Sequence, residues 1–225
     1  MISKAMTHLD AELKNLKDAI LEMMSLGIVQ LEKSKWAFIA QDTELAEEII
    51  HNEKRMNALE LSIDRKCENI LALFNPVATD LRFVISMLKI NSDIERIGDY
   101  GHGIAKYVVK MDEPITKQAL EKSELPKMFD IAISMMLDIH TAYENDDTAL
   151  ARKVYKKDVE LNVIHEVASN TVVEEIKGKA EDIHALLFMF STMGKLERAG
   201  DHIKNVAEDI IFHLDAEVLK HKKKK

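Results

Sequence analysis

Asp93-Ile94-Glu95-Arg96-Ile97-Gly98-Asp99 returns 102 residues later as Lys195-Leu196-Glu197-Arg198-Ala199-Gly200-Asp201. The same offset lays Asp80 on Asp182, Met87 on Met189 and Ala105 on Ala207. Further upstream the register is 105, with Asp42-Thr43-Glu44-Leu45-Ala46 on Asp147-Thr148-Ala149-Leu150-Ala151 and Met56-Asn57 on Leu161-Asn162. A repeat on this scale makes each copy one structural unit. The chain therefore reads as two homologous halves, 1–112 and 120–217, followed by a basic tail, 218–225.

The first half shows what each unit is. Leu9, Leu13, Leu16, Ile20, Met23, Gly27, Leu31, Ser34 and Phe38 follow one another in steps of three and four, the mark of a long amphipathic helix. Asp42-Thr43-Glu44 supplies caps for a second helix running to about Phe74, and Asn75-Pro76 breaks it, because proline pushes the preceding residue out of the α region. A third helix runs from Val77 to about Met111. The second half repeats this, with Pro114 in the join, Pro126 opening the next periodic segment, and breaks near Asn145-Asp146-Asp147 and Gly178. Seven glycines and three prolines are too few for the turns of a sandwich, a barrel or a βαβ chain. The predicted fold is all-α: two tandem pseudo-symmetric three-helix bundles of six long helices. Met23-Met24 and Met135-Met136 read as core filling and Trp36 as a packing anchor.

No apolar run approaches the ~20 residues that cross a bilayer, and Met1 to Asp10 lacks a signal-like apolar stretch. The single cysteine, Cys67, fits a reducing compartment, so a cytoplasmic location is expected. The formal net charge is −8 even with Lys220 and Lys222 to Lys225 at the end, so the folded part is more acidic still. That balance disfavours nucleic acid and favours cations. The lysine tail reads as a solubilising segment, with at most peripheral contact to an anionic membrane. No phosphate loop, nucleophile elbow or triad pattern is present, so the protein is not read as an enzyme.

At 100° per residue, Phe83, Met87, Ile90, Ile94, Ile97, Ile104 and Val108 share one face of the third helix, while Glu95 and Asp99 fall on the opposite side with His102 at the margin. Glu197 and Asp201 fall likewise on the sixth helix, so all four carboxylates read as surface groups. Hairpin geometry then finds their neighbours. A turn at about residue 75 sets Ile97 level with Glu53, and a turn between Gly178 and Lys179 sets Ala199 level with Asp158. Each half thus assembles three acids: Glu53, Glu95 and Asp99, then Asp158, Glu197 and Asp201. Carboxylates on adjacent turns repel one another, which calls for compensation. Oxygen-rich clusters of this kind suit divalent or trivalent metal ions, from magnesium and manganese to iron and zinc, with room for more than one ion where a carboxylate bridges. Gly98 and Gly200 inside the motifs remove a side chain where another group comes close.

Glu95-Arg96-Ile97-Gly98-Asp99, Glu197-Arg198-Ala199-Gly200-Asp201 and Pro76-Val77-Ala78-Thr79-Asp80-Leu81-Arg82 resemble the signature regions of the PhoU family, along nearly the whole chain. The resemblance implies a cytoplasmic negative regulator of phosphate uptake and of the phosphate-starvation response, a homodimer coupling the phosphate ABC transporter to a sensor histidine kinase. It also implies multinuclear metal clusters, iron or zinc foremost, on Glu95, Asp99, Glu197 and Asp201, with Glu53 and Asp158 at the acidic position of the preceding helix. Gly103 stands where the family often has asparagine, which Asn205 supplies in the second half, so the two sites are expected to differ. Asp182-Ile183-His184, with no proline before it, departs from the first-half block.

Two other readings stay open. One is a metal-free helical adaptor whose acidic patches meet a basic partner. The other is a ferritin-like di-iron protein, suggested by Glu48-x-x-His51 and Glu181-x-x-His184, although Glu48 and His51 face away from the stripe of Ile49, Met56 and Ile63.

Overall fold

The computed structural model describes residues 7–179 and 183–219, and the helices below are those of that stretch. The first half forms α1 (His8–Ala40), α2 (Thr43–Phe74) and α3 (Ala78–Lys110), close to the predicted boundaries. The second half forms α4 (Lys117–Lys122), α5 (Leu125–Glu144), α6 (Thr148–Ala151), α7 (Val154–Lys179) and α8 (Ile183–Asp215). Each half thus has three long helices, as the repeat predicts. The short helices α4 and α6 were not legible, because pieces of one or two turns carry no periodicity. The second hairpin turn was expected between Gly178 and Lys179, but α7 continues through Lys179. Residues 180–182, with Glu181 and Asp182, and the lysines Lys220 and Lys222 to Lys225 lie outside the described residues.

The duplication is visible at the caps. Asp42 accepts a hydrogen bond from the Leu45 N–H at 2.9 Å, and Asp147 accepts one from the Leu150 N–H at 2.9 Å. Each aspartate satisfies a donor that the first turn of its helix leaves without a partner. Pro126 sits in the first turn of α5, where its missing N–H costs nothing.

The halves pack side by side through α3 against α8 and α1 against α5, so one apolar core runs through both. Met23, Met24, Met135 and Met136 are fully buried in it, as their spacing predicts. Trp36 is a correction: it is 62 % exposed, with the Lys35 ammonium over its ring, because it falls off the line of Leu31, Ser34 and Phe38. Where the halves meet, the Tyr143 hydroxyl of α5 donates to Met87 Sδ of α3 at 2.8 Å, and His202 Nδ1 of α8 donates to Asp93 of α3 at 2.6 Å. Gly103, the departure in the first-half motif, lies under a side chain of the other half. A Cβ at that position would lie 2.7 Å from Lys195 Nζ, whose ammonium reaches across α3 to sit over the rings of Tyr100 and Tyr107. Asn205 is likewise engaged between the halves, donating to Asp93 at 3.4 Å.

No helix among the described residues is long and apolar enough to cross a membrane.

Candidate cation clefts

Gly98 faces Met56 where α2 and α3 pack: a Cβ on Gly98 would stand 3.0 Å from Met56 Cε. The homologous contact recurs between α7 and α8, where a Cβ on Gly200 would stand 3.4 Å from Leu161 Cδ2. That packing folds the acids into a groove rather than leaving them on an open face. Asp158, on α7, is 5 % exposed. The Glu95 side chain is 15 % exposed, so the expectation of a solvent-facing carboxylate is corrected for it. The physical reason is that α3 packs against α1, α2 and α8, so the flank opposite its main stripe also meets a helix.

In the first half the structure brings Glu53, Asp99 and His102 together, each offering a ligand atom within 4.8 Å of the others. The buried His102 places Nδ1 2.9 Å from Glu53 Oε1. Burial pushes the His102 pKa below its ordinary value, against the opposing pull of Glu53, so the imidazole is neutral at neutral pH and donates from Nδ1. Glu95 lies beside this trio. Burial raises its pKa, and the Asp99 and Glu60 carboxylates raise it further, with Arg96 3.7 Å away as a partial counter-charge. Glu60 is raised in the same way, by burial and then by Asp64. Five acids, Glu53, Glu60, Asp64, Glu95 and Asp99, thus line one groove, with Arg96 against Glu95 and Asp99 and Asn91 donating to Asp64.

The second half differs. Asp158 and Asp201 come together, but around Lys204, whose ammonium donates to Asp158 Oδ2 at 3.0 Å and to Asp201 Oδ1 at 2.5 Å. Burial pushes the Lys204 pKa down, but the hydrogen bonds to Asp201 and Asp158 outweigh it and leave the pKa raised, so the side chain is charged. Glu197 is half-buried on α8, and among the described residues no three-donor group forms around it. Where α2 carries Glu60 and Asp64, the repeat register gives α7 His165 and Ser169.

The donor chemistry separates the two clefts. Two carboxylates and a neutral imidazole fit a borderline divalent cation such as zinc, iron or manganese. A cleft already bridged by an ammonium does not fit a metal ion. Sequence reasoning singled out His102 but missed Lys204. The signal was available, because the 102-residue offset lays His102 on Lys204.

Glu48, half of a proposed ferritin-like motif, is exposed and paired with Lys33 at 2.5 Å, so it does not enter a four-helix core. Its counterpart Glu181 is outside the described residues.

The fold and clefts together define a class: a duplicated helical bundle in which each half carries an acidic groove between its last two long helices. Family comparison agrees with the repeat, because the PhoU domain matches twice, over residues 20–108 and 125–210. The chain belongs to the PhoU family, a family of accessory and regulatory proteins and not of enzymes. It is 30 % identical over 203 residues to the phosphate-specific transport system accessory protein PhoU homolog of Streptococcus pneumoniae, covering 90 % of this chain and 93 % of that one. The homolog 1 of Thermotoga maritima is 28 % identical, covering 91 % of this chain and 88 % of its own length. Crystal structures agree. PhoU from Pseudomonas aeruginosa superposes with a TM-score of 0.88 at 27 % identity, over 93 % of this chain and all of that one. The phosphate transport system regulatory protein PhoU from Streptococcus pneumoniae gives 0.86 at 29 %, over 95 % of this chain and all of that one.

Proposed function

We propose that this chain is a cytoplasmic negative regulator of phosphate uptake and of the phosphate-starvation response, working as a homodimer that couples the phosphate ABC transporter to a sensor histidine kinase. Family membership supports the reading, as do the relatives' names, phosphate-specific transport system accessory protein. The observation that carries the mechanism is the convergence of Glu53, Asp99 and His102 beside Glu95. Those residues would hold a metal ion, which supplies positive charge to an otherwise self-repelling groove and fixes the charge and shape that a partner meets. Around it, His102 is held by burial and by Glu53, which reaches it from α2.

The test is genetic. In a strain carrying Glu53→Gln with Asp99→Asn, a phosphate-starvation reporter should rise several-fold in phosphate-rich medium while helical circular dichroism stays intact. Undiminished repression would contradict the reading.

The metal-free adaptor draws support from one half only, since Lys204 pairs with both Asp158 and Asp201 and offsets part of their charge with no ion from outside.

A further inference from the structure

We propose that the duplicated cleft has diverged into one exchangeable metal site and one permanently closed site, with the Lys204 ammonium serving as the second half's built-in cation. The proposal rests on the metal reading of the first half and adds that the second half has left it.

Three observations converge. The position that follows the motif aspartate by three residues is His102 in the first half and Lys204 in the second, and each side chain bridges from α3 or α8 to the acid of the preceding helix, Glu53 or Asp158. The second cleft is therefore an internal control. In this fold, homologous carboxylates at this place gather a positive charge between them, at 3.0 and 2.5 Å. In the first half the bridging group is an imidazole, which keeps a ring nitrogen able to ligate a metal, whereas the Lys204 ammonium has only donors to offer. Its groove also keeps Glu60 and Asp64, which the second half lacks. The first cleft thus sets five carboxylates against the single Arg96 guanidinium at its edge, leaving an excess of negative charge for a cation from solution, and the imidazole selects a borderline metal over magnesium. In the second cleft a metal ion would have to displace an ammonium that is tethered to the same helix as Asp201 and so acts at high effective concentration.

Equilibrium dialysis of the full chain against zinc, after removal of metal with a chelator, tests the proposal. The wild-type chain should bind zinc in the first half alone. His102→Asn should weaken binding by tenfold or more, and magnesium should compete poorly. Lys204→His, which copies the first half into the second, should double the zinc bound per chain at saturation, and Lys204→Gln should raise it less. Circular dichroism confirms that each variant is folded. Should Lys204→His misfold, the His102→Asn comparison still decides.

The failures are separable. No zinc on either wild type or Lys204→His overturns both this proposal and the metal reading. Zinc that is lost with Asp201→Asn but kept in His102→Asn overturns this proposal while leaving carboxylate metal binding intact. Two equivalent zinc ions on the wild-type chain do the same.

Discussion

Replacing Lys204 with methionine should lower the stability of the metal-free protein by about 3 kcal/mol at neutral pH, because it strips the counter-charge from a carboxylate that is 5 % exposed. For a chain of 225 residues that is a fall in melting temperature of about 6–12 °C. Methionine keeps the stem's bulk, so the loss reports charge and hydrogen bonding rather than a cavity. The effect should depend on pH in a defined direction. An unpaired buried Asp158 becomes protonated more readily, so the deficit shrinks as the pH falls toward the carboxylate range. In the wild type the raised Lys204 pKa contributes stability that is fully present below about pH 10.5 and is lost above it. Thermal melts of both proteins from pH 5 to 9 check this. A deficit that grows toward acid would refute the assignment.

The second large effect lies where the halves join. Tyr143 on α5 is fully buried, and its hydroxyl reaches only the Met87 thioether of α3. Tyr143→Ala should cost about 4 kcal/mol, through lost apolar burial and the cavity left between the halves. Tyr143→Phe should cost within about 1 kcal/mol, since sulfur is a weak acceptor. Burial holds the Tyr143 pKa well above its ordinary value, with Asp146 adding to the shift. The folded state therefore keeps a proton that the unfolded state loses, and stability falls as the pH rises above about 10. That alkaline loss should be blunted in Tyr143→Phe. Denaturant melts at pH 7 and 10.5 measure both effects, and equal alkaline loss in the two proteins would contradict the linkage.

Much of the architecture was legible because long helices are rigid rulers. At 1.5 Å per residue, a hairpin that turns near Asn75 brings Glu53 level with the third-helix motif whatever the details of packing. Glu53 also carries a local signal, since it lies on the line of Ile49 and Met56, both buried. Burial was less legible. Projecting α3 onto one apolar stripe assumes one packed face, whereas α3 meets three helices, so Glu95 is enclosed where open solvent was expected. Lys204 was overlooked because Asp201 and Lys204 form an ordinary i,i+3 pair, and only the third partner, Asp158 on another helix, gives it meaning. Gly103 leaves room for the Lys195 side chain, which crosses between the halves over Tyr100 and Tyr107, a contact that only the packed structure reveals.

The decisive quantity is the occupancy of one notch between α2 and α3. Crystals grown with zinc and measured across its absorption edge should show an anomalous peak among the side chains of Glu53, Asp99 and His102, with none between Asp158 and Asp201. A peak confined to the latter pair, or no peak at either, would contradict it.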